Sequence, residues 1–175
     1  MIVRRAELKD ARAIAAIHVH AWQAAYQGIV PSAVLDSLSI EDRENRWRTI
    51  LDQRASETWV AEEDDKVVGW ISAARSRDEG TPSTTGEVWG IYVDPAQWRR
   101  GVGWRLWREA AAFLEAAGFL DITLWVLKEN APAIAFYESI GLVVEPGDEK
   151  AVVFGGATLL EIRLRKRLVS NREHR

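Results

Sequence analysis

The chain has 175 residues, 47% of them hydrophobic, a net charge of −3 and no cysteine. That length suits one domain with a sizeable core. The absence of cysteine excludes disulfides and thiolate metal sites, and a charge so near neutral gives no electrostatic case for a nucleic-acid or membrane partner.

The opening Met1-Ile2-Val3-Arg4-Arg5 turns polar at once, and no apolar run reaches the roughly 20 residues of a membrane span, so a cytoplasmic protein is expected. Residues 2–6 read as a short strand. Asp10 favours a helix start, and Ile14, Ile17, Ala21, Ala24 and Ala25 recur at helical spacing to about Tyr26. His18 and His20 lie on that helix at i and i+2, do not face each other, and read as solvated or hydrogen-bonded. The aromatic run AWQAAYQGIVP then leads to Pro31. Ser32 is placed to cap a helix over 33–38, and Ser39-Ile40-Glu41-Asp42 reads as a capping box opening a helix over 40–52.

Residues 58–62 and 66–74, joined at Glu63-Asp64-Asp65, form an expected hairpin. A polar loop over 76–85 leads to a strand at 87–93. After a short turn come Arg99-Arg100-Gly101-Val102-Gly103 and a helical pattern, with Val102, Leu106, Ala110, Phe113 and Ala117 on one face and Gly118 as its stop. A strand, a basic glycine turn and a helix N-terminus make an anion site, because the first N–H groups of a helix have no partner within it. Gly101 and Gly103 carry no Cβ to hold a phosphate off the backbone, and Arg99 and Arg100 add positive charge. The turn lacks the Lys-Ser/Thr of a P-loop and the third glycine of a dinucleotide fingerprint.

Residues 121–127 are the next strand. Strand, helix and strand of this length make a parallel crossover, so the sheet is mixed. Asn130 is a good N-cap, Pro132 suits the first helical turn, and Gly141 ends the helix. Residues 152–154 and 157–164 read as closing strands about Gly155-Gly156, and the basic end from Arg163 to Arg175 reads as solvated.

Two stretches together resemble the GCN5-related N-acetyltransferase (GNAT) family. Trp98-Arg99-Arg100-Gly101-Val102-Gly103 is similar to its acetyl-CoA motif, Gln/Arg-x-x-Gly-x-Gly/Ala, with Trp98 in place of Gln or Arg. The run from Asn130 through Phe136-Tyr137 to Gly141-Leu142 is similar to its second motif, Asn-x-x-Ala-x-x-Phe-Tyr-x-x-x-Gly-Phe, with Leu142 in place of Phe. The resemblance implies an α/β (α+β) fold: a mixed, mostly antiparallel sheet with helices on both faces. It implies one N-acetyltransferase domain over 1–168, followed by a short polar basic tail at 169–175.

The chemistry implied by the resemblance is direct transfer of an acetyl group from acetyl-CoA to a primary amine, with no metal. Glu87 is then the candidate base, directly or through water, and Tyr137 the group beside the CoA sulfur, as acid or as hydrogen-bond donor to the thiolate. CoA would be held by Arg99, Arg100, Gly101, Val102, Gly103 and Trp104, by the backbone of Ile91 and Val93 as an added strand, and by Asn130. The strand carrying Ile91 and Val93 is expected to splay from the 121–127 strand. The early helices would wall the acceptor site. The expected acceptor is a small-molecule amine, without nucleic acid or membrane, and a homodimer is compatible with this reading. A non-catalytic acyl-CoA binding module and a protein N-terminal or lysine acetyltransferase stay open as alternatives.

Overall fold

The computed structural model describes residues 1–168, so the tail at 169–175 lies outside the described residues. Seven strands form one sheet in the order β1-β2-β3-β4-β5-β7-β6. They are β1 (Ile2–Arg5), β2 (Glu57–Glu63), β3 (Lys66–Arg75), β4 (Thr85–Val93), β5 (Asp121–Leu127), β6 (Val143–Phe154) and β7 (Ala157–Arg167). Every neighbouring pair is antiparallel except β4 and β5. The closing strands are longer than the residue pattern indicated: β6 already begins at Val143, with an irregular charged stretch between Val144 and Glu149, and β7 runs on into Arg165-Lys166-Arg167.

Five helices cover the sheet: α1 (Ala11–Ala25), α2 (Ser32–Asp36), α3 (Ile40–Gln53), α4 (Val102–Ala116) and α5 (Ala131–Ser139). Alternation along a strand sends successive side chains to opposite faces, and the two faces have separate cores. Ile71, Val88, Ile122, Leu124 and Leu164 pack with Val102, Leu106 and Leu114 of α4 and with Tyr137 of α5. On the other face Val60 and Trp70 pack with Ile14 and Ile17 of α1 and Trp47 of α3. Leu106 and Leu114 are fully buried, and each contributes on the order of 1.5–3 kcal/mol.

The α4 stripe is Val102, Leu106, Trp107, Ala110 and Leu114, with Phe113 partly buried and Ala117 exposed. The expected Phe113–Ala117 end of that face is thus rotated toward Trp107 and Leu114, because a sheet-facing stripe is wider than one i, i+4 row. Ser39 caps α3 as expected, accepting from the Asp42 N–H at 3.1 Å. Ser32 does not cap α2: it is the first helical residue, and Pro31 holds the cap position with no side-chain bond.

The basic end of β7 is not a solvated tail up to Arg167. Arg163 pairs with Glu145 at 2.6 Å, Asp148 at 2.5 Å and Asp78 at 3.4 Å. Arg165 pairs with Asp121 at 2.9 Å, and the Lys166 ammonium donates to the Ile140 carbonyl at 2.6 Å. These charges tie β6, β7, the 76–84 loop and the end of α5 together. Their pairing was hidden in the sequence because the partners lie up to 85 positions away.

Candidate active site

The parallel pairing of β4 with β5 covers only Thr85↔Asp121, Gly86↔Ile122 and Glu87↔Thr123. Beyond Glu87 the two strands part. A bulge marks the place: Ser72 faces Gly90 and Ala73 faces Val88, which leaves Trp89 as the extra residue of β4. A bulge bends and twists its strand, and here it turns β4 away from β5.

The backbone past the bulge is an open edge. The Asp94 N–H donates to Val68 of β3 at 2.9 Å, so by alternation the N–H and C=O groups of Val93 and Ile91 face away from β3, into the gap. The Val93 carbonyl is already taken, because the Trp98 indole donates to it at 2.8 Å. Trp98, the residue that departs from the family pattern, therefore closes the turn by its own hydrogen bond. That leaves the Val93 N–H and both groups of Ile91 without a strand partner.

Next along the chain is the anion turn. Arg99 (φ 63°) and Gly101 (φ 80°) are both left-handed, and Gly101 is the N-cap of α4 with no side-chain cap. The first bond of the helix runs from the Arg105 N–H to the Gly101 carbonyl at 3.2 Å. The N–H groups of Gly101, Val102, Gly103 and Trp104 thus have no acceptor among the described residues, as a helix start requires. A Cβ on Gly101 would meet nothing, so this glycine serves its φ. Gly103 has a packing role as well. Its Cβ would stand 3.1 Å from the Phe136 ring, so it lets α5 lie close to the start of α4. Val102 buries its side chain and offers only its backbone, whereas Trp104 is exposed with Arg108 over its ring at 4.8 Å. Arg100 bonds Gln97 and lies 3.8 Å from Glu63, so part of its charge is used locally.

Tyr137, beside Phe136 on α5, is buried among the core residues on the α4 face of the sheet. The chain has three tyrosines, and the other two, Tyr26 just past α1 and Tyr92 on β4, lie within electrostatic range of it. Burial raises the Tyr137 pKa above the ordinary tyrosine value, with the charge of Tyr92 adding to the rise. Burial also raises Tyr26, with Tyr92 adding to the rise, the Tyr137 charge a smaller influence and the Asn130 side chain opposing it. Asn130 caps α5 as expected, its Oδ1 accepting the Ala133 N–H at 3.3 Å. Its amide therefore faces the tyrosines while its oxygen holds the helix that carries one of them.

Glu87 is 2% exposed and is held by one residue. The Arg77 backbone N–H donates to Oε2 at 2.9 Å, and its guanidinium donates to Oε1 at 3.2 and 2.5 Å. A carboxylate has about four lone-pair sites, so one remains, on Oε2. Arg77 also lies over the Trp89 ring at 4.4 Å. This partner was not foreseen, because Arg77 sits in a loop whose path the residue pattern left open. A separate depression of about 390 Å³, lined by residues 27–32, Leu35 and Ala157, contains none of these groups.

His18 is only partly solvated, and its Nδ1 makes no hydrogen bond, where a solvated or hydrogen-bonded side chain was expected. It stacks on Tyr92 (4.8 Å, 16°), and its Nδ1 is buried with no partner among the described residues. A helical histidine facing aromatic residues from β3 and β4 could not be seen in the local spacing.

A family model described as "Acetyltransferase (GNAT) family" matches residues 14–142. An uncharacterised N-acetyltransferase of Bacillus subtilis, YuaI, is 34% identical over 141 residues, which are 78% of this chain and 77% of that protein. The mycothiol acetyltransferase of Kocuria rhizophila is 31% identical over 101 residues, covering 52% of this chain and only 33% of that longer protein. Among solved structures, the PaiA N-acetyltransferase of Thermoplasma acidophilum in complex with coenzyme A superposes with a TM-score of 0.76 at 19% identity. That match covers 95% of this chain and 98% of that one.

His18 also makes stability depend on pH. Burial, with the nearby Arg43 charge second, lowers its pKa from 6.5 to about 3. A histidine kept neutral in the folded state and free to protonate in the unfolded one contributes stability fully above pH 6.5. That stability is lost as pH falls toward 3, at up to about 1.4 kcal/mol per pH unit. Replacement by phenylalanine keeps the stack on Tyr92 and removes the titration. Urea unfolding at pH 7 and pH 5 should show the wild type losing about 2 kcal/mol more than His18→Phe between the two. Equal losses in the two proteins would mean that His18 protonates alike in both states.

Proposed function

The chain belongs to the GNAT family and is an acetyl-CoA-dependent N-acetyltransferase; from that premise we propose that it acetylates the primary amine of a small molecule by direct transfer. The observation that supports this reading is the parting of β4 from β5 past Glu87, which leaves backbone groups of Ile91 and Val93 unpaired just ahead of the unpaired N–H groups that start α4.

In this reading the N–H groups of Gly101 to Trp104, with Arg99 and Arg100, hold the pyrophosphate of acetyl-CoA. The Ile91 backbone and the Val93 N–H pair with the pantetheine arm as an added strand would, and Asn130 borders that arm. These contacts set the thioester between β4 and β5, with its sulfur toward Tyr137. The Tyr137 hydroxyl stabilises the leaving thiolate. Because its pKa is raised, it keeps its proton and acts as a hydrogen-bond donor more readily than as an acid. The amine loses its proton to Glu87 through the one free Oε2 lone pair, directly or by way of a water molecule. Arg77 then positions that oxygen. The new N–C bond forms as the C–S bond breaks, so no thiol of the protein is needed. The acceptor enters past α1 and α2, where Trp22 and Tyr26 stand. The wide protein-binding groove that a peptide acceptor needs is not what these aromatic walls favour, and a small acceptor fits them better.

Three variants test these roles. Asp tolerates the left-handed region better than most residues, so Gly101→Asp should fold while placing a carboxylate beside the pyrophosphate. Calorimetry should show acetyl-CoA affinity down at least tenfold, about 1.4 kcal/mol; an unchanged Kd would put the phosphates elsewhere. Tyr137→Phe should lower kcat about 10²-fold with acetyl-CoA affinity kept. The raised pKa leaves Tyr137 protonated from about pH 6 to 9, so that loss should be uniform over the window. A wild-type kcat would reduce Tyr137 to packing.

Glu87→Gln should lower kcat/KM about 10²-fold near pH 7, with the loss shrinking as pH rises and free amine becomes abundant. A pH–rate profile parallel to the wild type, together with a lower Tm, would make Glu87 only the anchor of Arg77.

A further inference from the structure

The three arginines of α3 are not alike. Arg48 pairs with Glu44 at 2.7 Å, and the same carboxylate also receives Arg12 at 2.9 Å. Arg46 is exposed. Arg43 is half-buried, and no carboxylate among the described residues pairs with it. Its guanidinium stands 5.5 Å from the centroid of the Trp22 ring. Burial lowers its pKa, and the charge of Arg46 adds to that, so the local field is positive rather than balanced.

Two buried donors or acceptors beside it also lack partners. These are the Trp22 indole N–H and the Nδ1 of His18. The Trp22 indole acts on the Tyr92 hydroxyl without closing a hydrogen bond of normal geometry. Trp22 in turn meets Tyr26 edge-on at 4.9 Å, and His18 stacks on Tyr92. A continuous strip thus runs from Tyr137, through Tyr26 and Tyr92, to Trp22 and Arg43.

A partly desolvated guanidinium without a counter-ion is costly, and the Trp22 face offsets part of that cost. The Trp22 N–H is sealed from solvent and turned toward Tyr92, so Arg43 is the group a ligand can meet. The proposed function puts the donor's phosphates at the α4 turn, so an anion at Arg43 would belong to the acceptor. We infer that the acceptor carries an oxyanion, a carboxylate or phosphonate, on the same small molecule as its amine, and that Arg43 holds it.

This inference rests on the acetyltransferase reading for the place of the amine, so its test has an arm that does not need turnover. Acceptors are compared in pairs that share the amine: amino acids against their amides, and an aminophosphonate against its uncharged ester. Release of free CoA gives kcat and KM. Thermal shift in the presence of CoA gives binding alone. The wild type should prefer each acid over its neutral partner by about tenfold or more.

Arg43→Gln should erase that preference by raising KM for the acids, leaving the KM of the neutral amines and the calorimetric Kd of acetyl-CoA unchanged. Arg43→Lys should recover part of it. Neutral partners used equally well by the wild type would overturn the inference. So would an Arg43→Gln variant that weakens every acceptor and acetyl-CoA alike. Binding that prefers the acids without any CoA release would sustain the oxyanion site while sinking the transfer reading. Binding with no such preference, and no CoA release, would sink both.

Discussion

β4 and β5 hold each other for three residues and then separate, and most of what this molecule can do follows from that short ladder. Parallel strands joined by a crossover helix ordinarily pair along their length. Here the extra residue at Trp89 bends β4 away from its neighbour just past Glu87. The separation leaves backbone groups of Ile91 and Val93 without a strand. Such an edge would be a liability on the outside of a sheet. Here it lies inside the sheet, between two helical layers, where in the proposed function an extended ligand pairs with it. The ladder is anchored where it ends, because Glu87 is fixed by three bonds from Arg77 and the Thr123 hydroxyl donates to the Gly86 carbonyl at 3.3 Å.

The two motif stretches are coupled by packing rather than by charge. Gly103 opens the start of α4 so that the Phe136 ring can rest there. Tyr137 is the next residue, so the depth of that contact sets how far its hydroxyl reaches into the slot. A single methyl at 103 would push on the ring at 3.1 Å, closer than most carbon contacts. The start of α4 and the middle of α5 are thus fitted to each other at this contact.

Much of this was legible because it is local. The crossover β4–α4–β5, the Asn130 cap and the hairpin of β2 and β3 follow from caps, periodicity and glycine placement within a few residues. The partners that decide the chemistry were not local. Glu87 and Arg77 are ten positions apart, but the loop between them has no periodicity to show which way Arg77 turns. Tyr92 looked like one more alternating strand residue, and Arg43 like one more charge on a helix with three arginines. Their convergence depends on how α1 and α3 lie across β3 and β4, which side-chain spacing along one element does not encode. The same limit misplaced Arg163 and Arg165, which read as a solvated tail and are instead paired across β6 and β7.

The contrast among arginines carries the functional argument further than any one of them does. Arg4 lies between Asp10 and Glu62, and Arg163 among three carboxylates, so charges that serve the fold are balanced within it. Arg77 belongs to this group while touching the cleft, and its partner Glu87 keeps one lone pair for other use. Arg43 breaks the pattern, being drawn partly out of water and left over an indole with no anion. Exposed charges can go unpaired at little cost, because water screens them. A desolvated one is stable only against a counter-charge. In the proposed function Glu87 at the β4–β5 fork and Arg43 on α3 are opposite charges, which suits an acceptor bearing an ammonium at one end and an oxyanion at the other.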